Sequence, residues 1–367
     1  MAGASRRSLW HWTVVLPVVA FVALAATFGR ELPDAVVGVV AVLLAGAVLA
    51  AVHHAEVVAL RVGEPFGSLV LAVAVTVIEV ALIVTLMITG DPAKTQSLAR
   101  DTVFAAAMIT VNGVLGLCLV VATARRHVAA FNAEGTGGAL ATVATLATLS
   151  LVLPTVTTSR PGPQFSPGQL TFAAVASLAL YGLFVAVQAG RHRDYFLPVG
   201  RTGAVIEEEE HADPPGTRAA LVSLGLLLLA LVAVVGDAKA VSPAIESAVA
   251  RVGFPPSFVG VVIALLVLLP ETLAAVRAAR RDRVQTSLNL ALGSAMASIG
   301  LTIPVISVAT IWLDQPLVLG LASTQIVLLG LTVLVGVLTV VPGRATLLQG
   351  GVHLAVFAAF IALAINP

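Results

Sequence analysis

Charged residues are scarce in this sequence: Asp, Glu, Lys and Arg make up 11% of its 367 residues, whereas a soluble domain carries about 25%. It also holds a single cysteine, Cys118, which excludes a disulfide framework or a cysteine-based metal site within one chain. What it has instead is apolar residues, 59% of the total, in recurrent runs of about 20 residues, the length that crosses a bilayer. The sequence therefore predicts an all-α polytopic membrane protein.

Eleven apolar segments are candidate transmembrane spans, joined mostly by short connections. The first follows Arg6 and Arg7, as in a signal peptide, but no convincing cleavage site follows it, so we interpret it as a membrane helix. The predicted spans are 12–28, 35–53, 66–89, 102–123, 138–156, 169–189, 218–237, 257–277, 286–312, 316–340 and 345–365.

The basic residues predict the orientation of these spans, because Lys and Arg accumulate in cytoplasmic loops. With the N-terminus inside, 14 of the 20 basic residues fall in inside loops and six in outside loops. This bias supports the odd number of spans and places the C-terminus outside. Only two basic residues are lysines, which with the Ala and Val bias suggests a GC-rich bacterial genome. We therefore expect a multi-pass protein of the bacterial cytoplasmic (inner) membrane.

The two halves of the chain contain similar segments, PFGSLVLAVAVTVIEVAL from Pro65 and SFVGVVIALLVLLPETLA from Ser257. Apolar helices agree easily by chance, so the shared valines carry little weight and the shared carboxylate carries much more. At a constant offset of 192 residues, the matched pairs include Phe66 with Phe258, Val75 with Val267, and Glu79 with Glu271.

The two glutamate-bearing spans are the third and the eighth, and a separation of five spans places them in opposite orientations. The sequence thus predicts one leading helix followed by two five-helix repeats of inverted topology, a recurring design of secondary transporters with a site near the midplane. The predicted divisions are an N-terminal tail and leading helix at 1–33, a first repeat at 34–190, a cytoplasmic acidic loop at 191–217 and a second repeat at 218–367.

Glu79 and Glu271 are the acidic residues predicted to lie well inside spans, since the other 17 of 19 fall in loops, tails or span edges. The nearest basic residue, Arg277, marks a helix end. One interpretation is two protonated carboxyl groups with a structural role. A transported cation explains the symmetry-related pair better, because oxygen-rich sites suit hard cations such as Ca²⁺. Once the cation leaves, desolvation and mutual repulsion would favour protonation, so protons can replace it.

Residues near the two glutamates would supply further oxygen ligands. Thr76 lies three residues before Glu79 on the same helix face, and Pro270 deprives the Leu266 carbonyl of its helical hydrogen bond just before Glu271. The structural alternatives are a self-satisfied hydroxyl, a simple kink and interhelical hydrogen bonding. The candidate ligands besides the glutamates are Thr76, Asn112, Ser294 and Ser298, and the backbone or supporting candidates are Val75, Val267, Leu266, Pro270 and Asn289.

Two polar segments are candidates for accessory roles on the inside. His53 and His54 end the second span and Glu64 precedes the third; these residues would line a vestibule or sense pH, or the histidines would cap the helix or meet lipid headgroups. The long inside loop contains four consecutive acids, interpreted either as a solvated linker or as a cation-attracting or regulatory element. These acids are Glu207, Glu208, Glu209 and Glu210.

Four long motifs are distinctive: GEPFGSLVLAVAVTVIEVALIVTLM, ARDTVFAAAMITVNGVLGLCLV, HRDYFLPV and LLVLLPETLAAVRAARRDRVQTSLNLALGSAMASIGLTIPV. They resemble the bacterial ChaA-type Ca²⁺/H⁺ antiporters of the cation/Ca²⁺ exchanger superfamily. The resemblance covers nearly the whole chain beyond the first helix. It implies an inverted 5+5 core behind a leading helix, with Glu79 and Glu271 as the central cation- and proton-binding carboxylates. It also implies equivalent places for Asn112 and Ser298, and a serine at 298 rather than an aspartate favours proton over sodium coupling.

Three functions follow from this reading. The first is a secondary transporter that exchanges cytosolic Ca²⁺ for external protons by alternating access. The second is a Na⁺(K⁺)/H⁺ antiporter on the same scaffold. The third is a membrane metalloenzyme using His53, His54 and Glu56, whose spacing matches no zinc signature. The expected partners are the lipid bilayer and inorganic cations, with no nucleic acid, no resident cofactor and an open oligomeric state.

Overall fold

A computed structural model of the chain describes residues 11–30, 32–63, 66–91, 95–199, 214–312 and 316–367. Nearly all regular structure in these ranges is helical, because apolar segments in a bilayer must satisfy their own backbone hydrogen bonds. The α-helices are α1 (Trp12–Thr27), α2 (Asp34–Val62), α3 (Phe66–Thr89), α4 (Leu98–Met108), α5 (Leu115–Arg126), α6 (Ala133–Ala147), α7 (Leu153–Val156), α8 (Pro167–Ala186), α9 (Thr217–Arg251), α10 (Phe258–Arg280), α11 (Val284–Ala309), α12 (Ser323–Val340) and α13 (Leu347–Ile365).

Short helical segments of other types connect several of these helices. Three π-helical segments, Ile109–Val114, Thr148–Val152 and Val187–Arg191, continue α4, α6 and α8, and a 3₁₀ turn spans Arg193–Phe196. Counted with these continuations, ten helical segments of the described chain are long and apolar enough to cross a membrane, and α1 is a shorter apolar helix. The predicted all-α polytopic architecture with about eleven membrane helices is therefore confirmed.

Three predicted span boundaries are wrong. The sequence predicts that the second span ends at residue 53, but α2 continues to Val62, because mostly apolar, helix-forming residues follow. His53 and His54 therefore lie inside α2 and do not cap its end.

The sequence predicts an end near residue 237, but α9 continues to Arg251, because its buried apolar face extends past Asp237 to Val241 and Val249. The sequence also predicts a span from residue 316, but α12 starts at Ser323. Residues 316–322 are not helical, and within them the Val318 amide donates to the Gln96 carbonyl at 3.1 Å.

The chain divides into two compact units, each discontinuous in sequence: Met1–Thr89 with Ala212–Ser247, and Gly90–His211 with Ala248–Pro367. The first unit contains α1, α2, α3 and most of α9. Within it α2 packs against both α1 and α3. The Leu16 side chain of α1 packs against Gly46 of α2, where a Cβ added to Gly46 would lie 2.9 Å from it. The absence of a side chain at Gly46 therefore allows α1 to pack closely on α2.

The second unit is built around α10 and α11. Helix α10 packs on α4 and α5, and α11 packs on α6, α8 and α10. Gly260 of α10 lies against the backbone of α4, where a Cβ would meet the Thr102 nitrogen at 2.8 Å. Gly116 of α5 and Gly350 of α13 face each other in the same way. Small residues thus let the helices of this unit approach backbone to backbone, as is usual in membranes.

Loop contacts within the second unit agree with helices that alternate in direction. Strands β1 (Ala129–Ala130) and β2 (Arg344–Ala345) pair antiparallel, so the loop after α5 and the loop after α12 lie on one side. Between α7 and α8, the Pro163 carbonyl accepts from the Gly320 amide in the loop before α12 at 3.0 Å, so these two loops share a side as well. Both pairings match the sidedness expected from eleven successive crossings.

Candidate cation-binding site

Glu271 lies in the middle of α10, directly after Pro270. Its carboxylate atom Oε2 is buried. The helix runs without interruption through the proline, and the Thr272 hydroxyl donates to the Leu268 carbonyl at 2.8 Å. Because proline has no N–H, the Leu266 carbonyl lacks its usual donor at this level. The Leu266 carbonyl is therefore a backbone oxygen near Glu271 that Pro270 leaves without its helical donor, as the sequence predicts. Val267, the other backbone candidate on this helix, is a buried apolar residue.

Asn112 lies in the π-helical segment Ile109–Val114, between α4 and α5. This segment packs against α10, α11, α12 and α13, and Asn112 is 0% exposed. A π-helical turn shifts the backbone hydrogen bonds from the α-helical pattern and occurs frequently at functional sites. The structure thus places a buried carboxamide, in a locally irregular helix, against the helix that carries Glu271.

The Asn112 side chain is held by two other helices. Its Nδ2 donates to the Thr332 hydroxyl of α12 at 2.9 Å, and that hydroxyl donates to the Leu328 carbonyl at 2.7 Å. Its Oδ1 accepts from Nδ1 of His353 on α13 at 3.1 Å. These hydrogen bonds fix the orientation of the Asn112 carboxamide. One lone pair of its Oδ1 accepts from His353, which leaves the second lone pair for another ligand.

His353 is 0% exposed and completes this network. Since its Nδ1 donates to Asn112, the neutral ring accepts at Nε2 from the Thr339 hydroxyl, 3.1 Å away. The sequence analysis did not identify this histidine. The available signal was one imidazole inside an apolar final span, where polar residues usually line the bundle interior.

Helix α11 contributes the predicted serines and Asn289. Ser298 is buried and Ser294 is half-buried. Asn289 has a structural role, because its Nδ2 donates to the Phe196 carbonyl at 2.7 Å and its Oδ1 accepts from Gln285 Nε2 at 2.8 Å. Asn289 therefore anchors the HRDYFLPV motif to α11.

Glu79 and Thr76 belong to the first unit, on α3. Glu79 is 3% exposed and Thr76 is 6% exposed, so the predicted shared face is a buried one. Helix α3 is continuous at Val75, which is itself buried. The joint participation of Glu79 and Glu271 in cation binding remains a prediction, as do the ligand roles of their neighbours.

The predicted accessory residues divide into three groups. His54 is buried, with Nε2 at 2.8 Å from the Thr13 carbonyl and Nδ1 at 3.2 Å from the Ser223 hydroxyl, contacts that join α2 to α1 and α9. His53 is half-buried and its ring lies 6.4 Å from that of Trp12. The remaining accessory candidates, Glu64 and Glu207 to Glu210, lie outside the described residues.

The acidic residues inside helices were undercounted from the sequence. Asp237, taken as the edge of a span, is 0% exposed within α9. Asp101 is 4% exposed in the first turn of α4, where its Oδ1 pairs with the Arg100 guanidinium at 2.8 Å. Both were assigned to span edges because the predicted spans stop short of the helix ends.

Comparison with known proteins identifies the family. The model of the sodium/calcium exchanger protein family matches residues 32–190 and 222–366. The chain belongs to this family. A protein of Sinorhizobium fredii named as an ionic transporter is 46% identical over 366 residues, 98% of this chain and 96% of its own length. The sodium-potassium/proton antiporter ChaA of Escherichia coli is 32% identical, covering 96% of this chain and 91% of its own.

The fold of the chain is also similar to that of a solved structure. A crystal structure of an H⁺/Ca²⁺ exchanger, CAX, superimposes with a TM-score of 0.71 at 16% identity, covering 95% of this chain and 86% of its own. The resemblance to ChaA-type proteins of the cation/Ca²⁺ exchanger superfamily is confirmed. The chain is a transporter of the antiporter class and not an enzyme, so the metalloenzyme hypothesis built on His53, His54 and Glu56 is not retained.

Proposed function

We propose that this exchanger moves Ca²⁺ out of the cytosol in exchange for external protons, with the cation and the protons competing for Glu79 and Glu271. The family assignment supports cation antiport. The observation that carries the choice of residues is Glu271, a carboxylate with a buried oxygen, set behind Pro270 on a helix that packs against the π-helical segment of Asn112. These are hard oxygen groups, which suit Ca²⁺.

The same groups account for proton exchange. An ionised carboxylate at membrane depth costs several kcal/mol, so it is stable there when a cation neutralises it. After release of the cation, protonation removes the charge and makes the empty form tolerable. Cation and proton therefore occupy the carboxylates alternately. Alternating access, with the site exposed to one side at a time, then couples the two fluxes.

Two further parts of the proposal concern architecture. The two glutamate helices, α3 and α10, match at a constant offset of 192 residues, which supports two inverted five-helix repeats behind α1. The excess of Arg in alternate loops supports insertion with the N-terminus in the cytosol. We place the protein in the bacterial inner membrane, where a proton gradient directed inward would drive export of Ca²⁺.

Everted membrane vesicles from cells that make the full chain test this function. A proton gradient is established and its collapse is recorded with a pH-sensitive dye after addition of Ca²⁺, Na⁺ or K⁺ in turn. Ca²⁺ is expected to dissipate the gradient at the lowest concentration, and Na⁺ to compete weakly. Vesicles in which Ca²⁺ leaves the gradient intact across a broad pH range would refute the proposal.

A Na⁺(K⁺)/H⁺ antiporter is the second candidate, and one observation favours it. The relative from Escherichia coli, 32% identical over 353 residues, carries the name of a sodium-potassium/proton antiporter. Two carboxylates exceed the charge of a monovalent ion, so this alternative predicts that one of them stays protonated during transport. In the same vesicles, a response to Na⁺ or K⁺ with none to Ca²⁺ would select it.

A further inference from the structure

Asp237 is a buried acid that neither the sequence analysis nor the proposed exchange uses. It lies 20 residues into α9, about 30 Å from the first residue of that helix at 1.5 Å per residue. Its side chain is 0% exposed. Neither of its carboxylate oxygens has a hydrogen-bond partner among the residues that the structure describes.

The surroundings of Asp237 on its own helix are apolar. Ala233, Val234 and Val241, three or four residues away on the same face, are all buried. Lys239 is exposed, and residues two positions apart do not face each other on a helix. The adjacent lysine therefore does not neutralise Asp237.

The neighbouring helix closes over this level of α9. The Leu24 side chain of α1 lies against Gly236, where any Cβ would overlap it. Among the described residues, the hydrogen bond of Ser223 to His54 lies 14 residues earlier, about 21 Å along the helix. Ser242, five residues after Asp237, is a buried polar neighbour on α9. Asp237 therefore sits in a buried and mostly apolar part of the first unit.

Burying an ionised carboxylate without a partner is much more costly than burying a neutral carboxyl group. We propose that Asp237 is a proton-binding site, protonated in the conformation of the structure and separate from Glu79 and Glu271. The ligand is a proton rather than a metal ion, because a cation needs several oxygen ligands. The described residues contain no group of three or more His, Cys, Asp or Glu able to hold a metal.

Infrared spectroscopy of the purified full chain at neutral pH tests this proposal. A protonated carboxyl group has a carbonyl band that an ionised carboxylate lacks. Asp237→Asn is expected to lose the band of one such group relative to the wild type, and Asp34→Asn, at an exposed position that starts α2, is expected to lose none. Wild-type and Asp237→Asn spectra with the same protonated-carboxyl intensity would overturn the proposal.

Two further variants keep the outcome clear. If Asp237→Asn does not fold, Asp237→Leu places an apolar side chain in the apolar surroundings and is compared in the same way. The double variant Glu79→Gln with Glu271→Gln is expected to retain the Asp237 band, although it should not transport. The experiment thus distinguishes a failure of Asp237 as a proton site from a failure of the proposed exchange. Loss of the Asp237 carbonyl band from the double variant would contradict a site separate from Glu79 and Glu271.

Discussion

The two glutamate helices differ more in their backbone than in their carboxylates. Helix α3 carries Glu79 on a buried face without a proline. Helix α10 carries Glu271 directly after Pro270 and packs on a π-helical segment. The two matched segments thus share a glutamate, but only the segment in α10 has a proline that leaves a backbone oxygen without its helical donor. If one cation uses both halves, the carboxylates should be equally necessary, while the groups around them should contribute unequally.

The largest expected effect comes from neutralising either carboxylate. Glu79→Gln and Glu271→Gln keep the shape and remove the negative charge, so each is expected to lower exchange at least tenfold, which corresponds to about 1.4 kcal/mol or more. Dye-monitored exchange in everted vesicles measures this, with Asp34→Asn as the exposed control. Substantial exchange by one variant and none by the other would break the equivalence of the two halves.

A smaller effect is expected from the proline that distinguishes α10. Pro270→Ala restores an N–H donor to the Leu266 carbonyl and is expected to raise the Ca²⁺ concentration for half-maximal exchange about tenfold if that oxygen contributes to binding. Pro243→Ala, at an exposed proline inside α9, is the matched control. Equal behaviour of the two variants would show that the proline has only a structural role.

We expect the hydrogen bonds that hold Asn112 to affect cation binding at Glu271. His353→Leu removes the donor to Asn112 Oδ1 and the acceptor for Thr339. Buried groups left unsatisfied cost about 1–3 kcal/mol, so we expect a lower unfolding temperature and a several-fold weaker apparent Ca²⁺ affinity. Thr339→Val, which removes only the more distant bond, should lower stability but leave the affinity unchanged. A normal Ca²⁺ affinity in His353→Leu would separate this network from the site.

The smallest effect is expected from single hydroxyl groups. Thr76→Val removes a buried hydroxyl three residues before Glu79, and we expect the apparent Ca²⁺ affinity to fall a few-fold. Thr272→Val is the comparison in α10, where the hydroxyl already donates to the Leu268 carbonyl, so it should change little. The same vesicle assay, titrated with Ca²⁺, measures both. A larger loss of Ca²⁺ affinity at Thr272 than at Thr76 would contradict the prediction that the Thr76 hydroxyl is the one that contributes to cation binding.

Much of the fold follows from the sequence because membrane helices are specified by length and hydropathy. The third span, predicted at 66–89, coincides with α3 (Phe66–Thr89). The error at α9 has a physical cause: Asp237, Lys239 and Pro243 resemble a helix end, but burial of the apolar face on both sides of them outweighs these local signals. Hydropathy alone does not tell whether an acidic residue lies at the end of a helix or is buried within it.

The candidate site was predictable in part. The two glutamates stand out from the sequence, because a carboxylate is conspicuous in an apolar run. The contact of Asn112 with His353 joins residues 241 positions apart and depends on the close approach of α5 and α13 at Gly116 and Gly350. The π-helical segment Ile109–Val114 packs against four helices, and no residue pattern within it predicts the π-helical turn from the sequence.

Calcium binding to the purified protein tests the central claim most directly, by calorimetry in buffers of different ionisation enthalpy so that released protons are counted. We predict that the wild type binds Ca²⁺ and releases protons at neutral pH. Glu79→Gln and Glu271→Gln should each lose this binding while remaining folded. Binding of Ca²⁺ by either variant with wild-type affinity and proton release would contradict the claim that both carboxylates hold the cation.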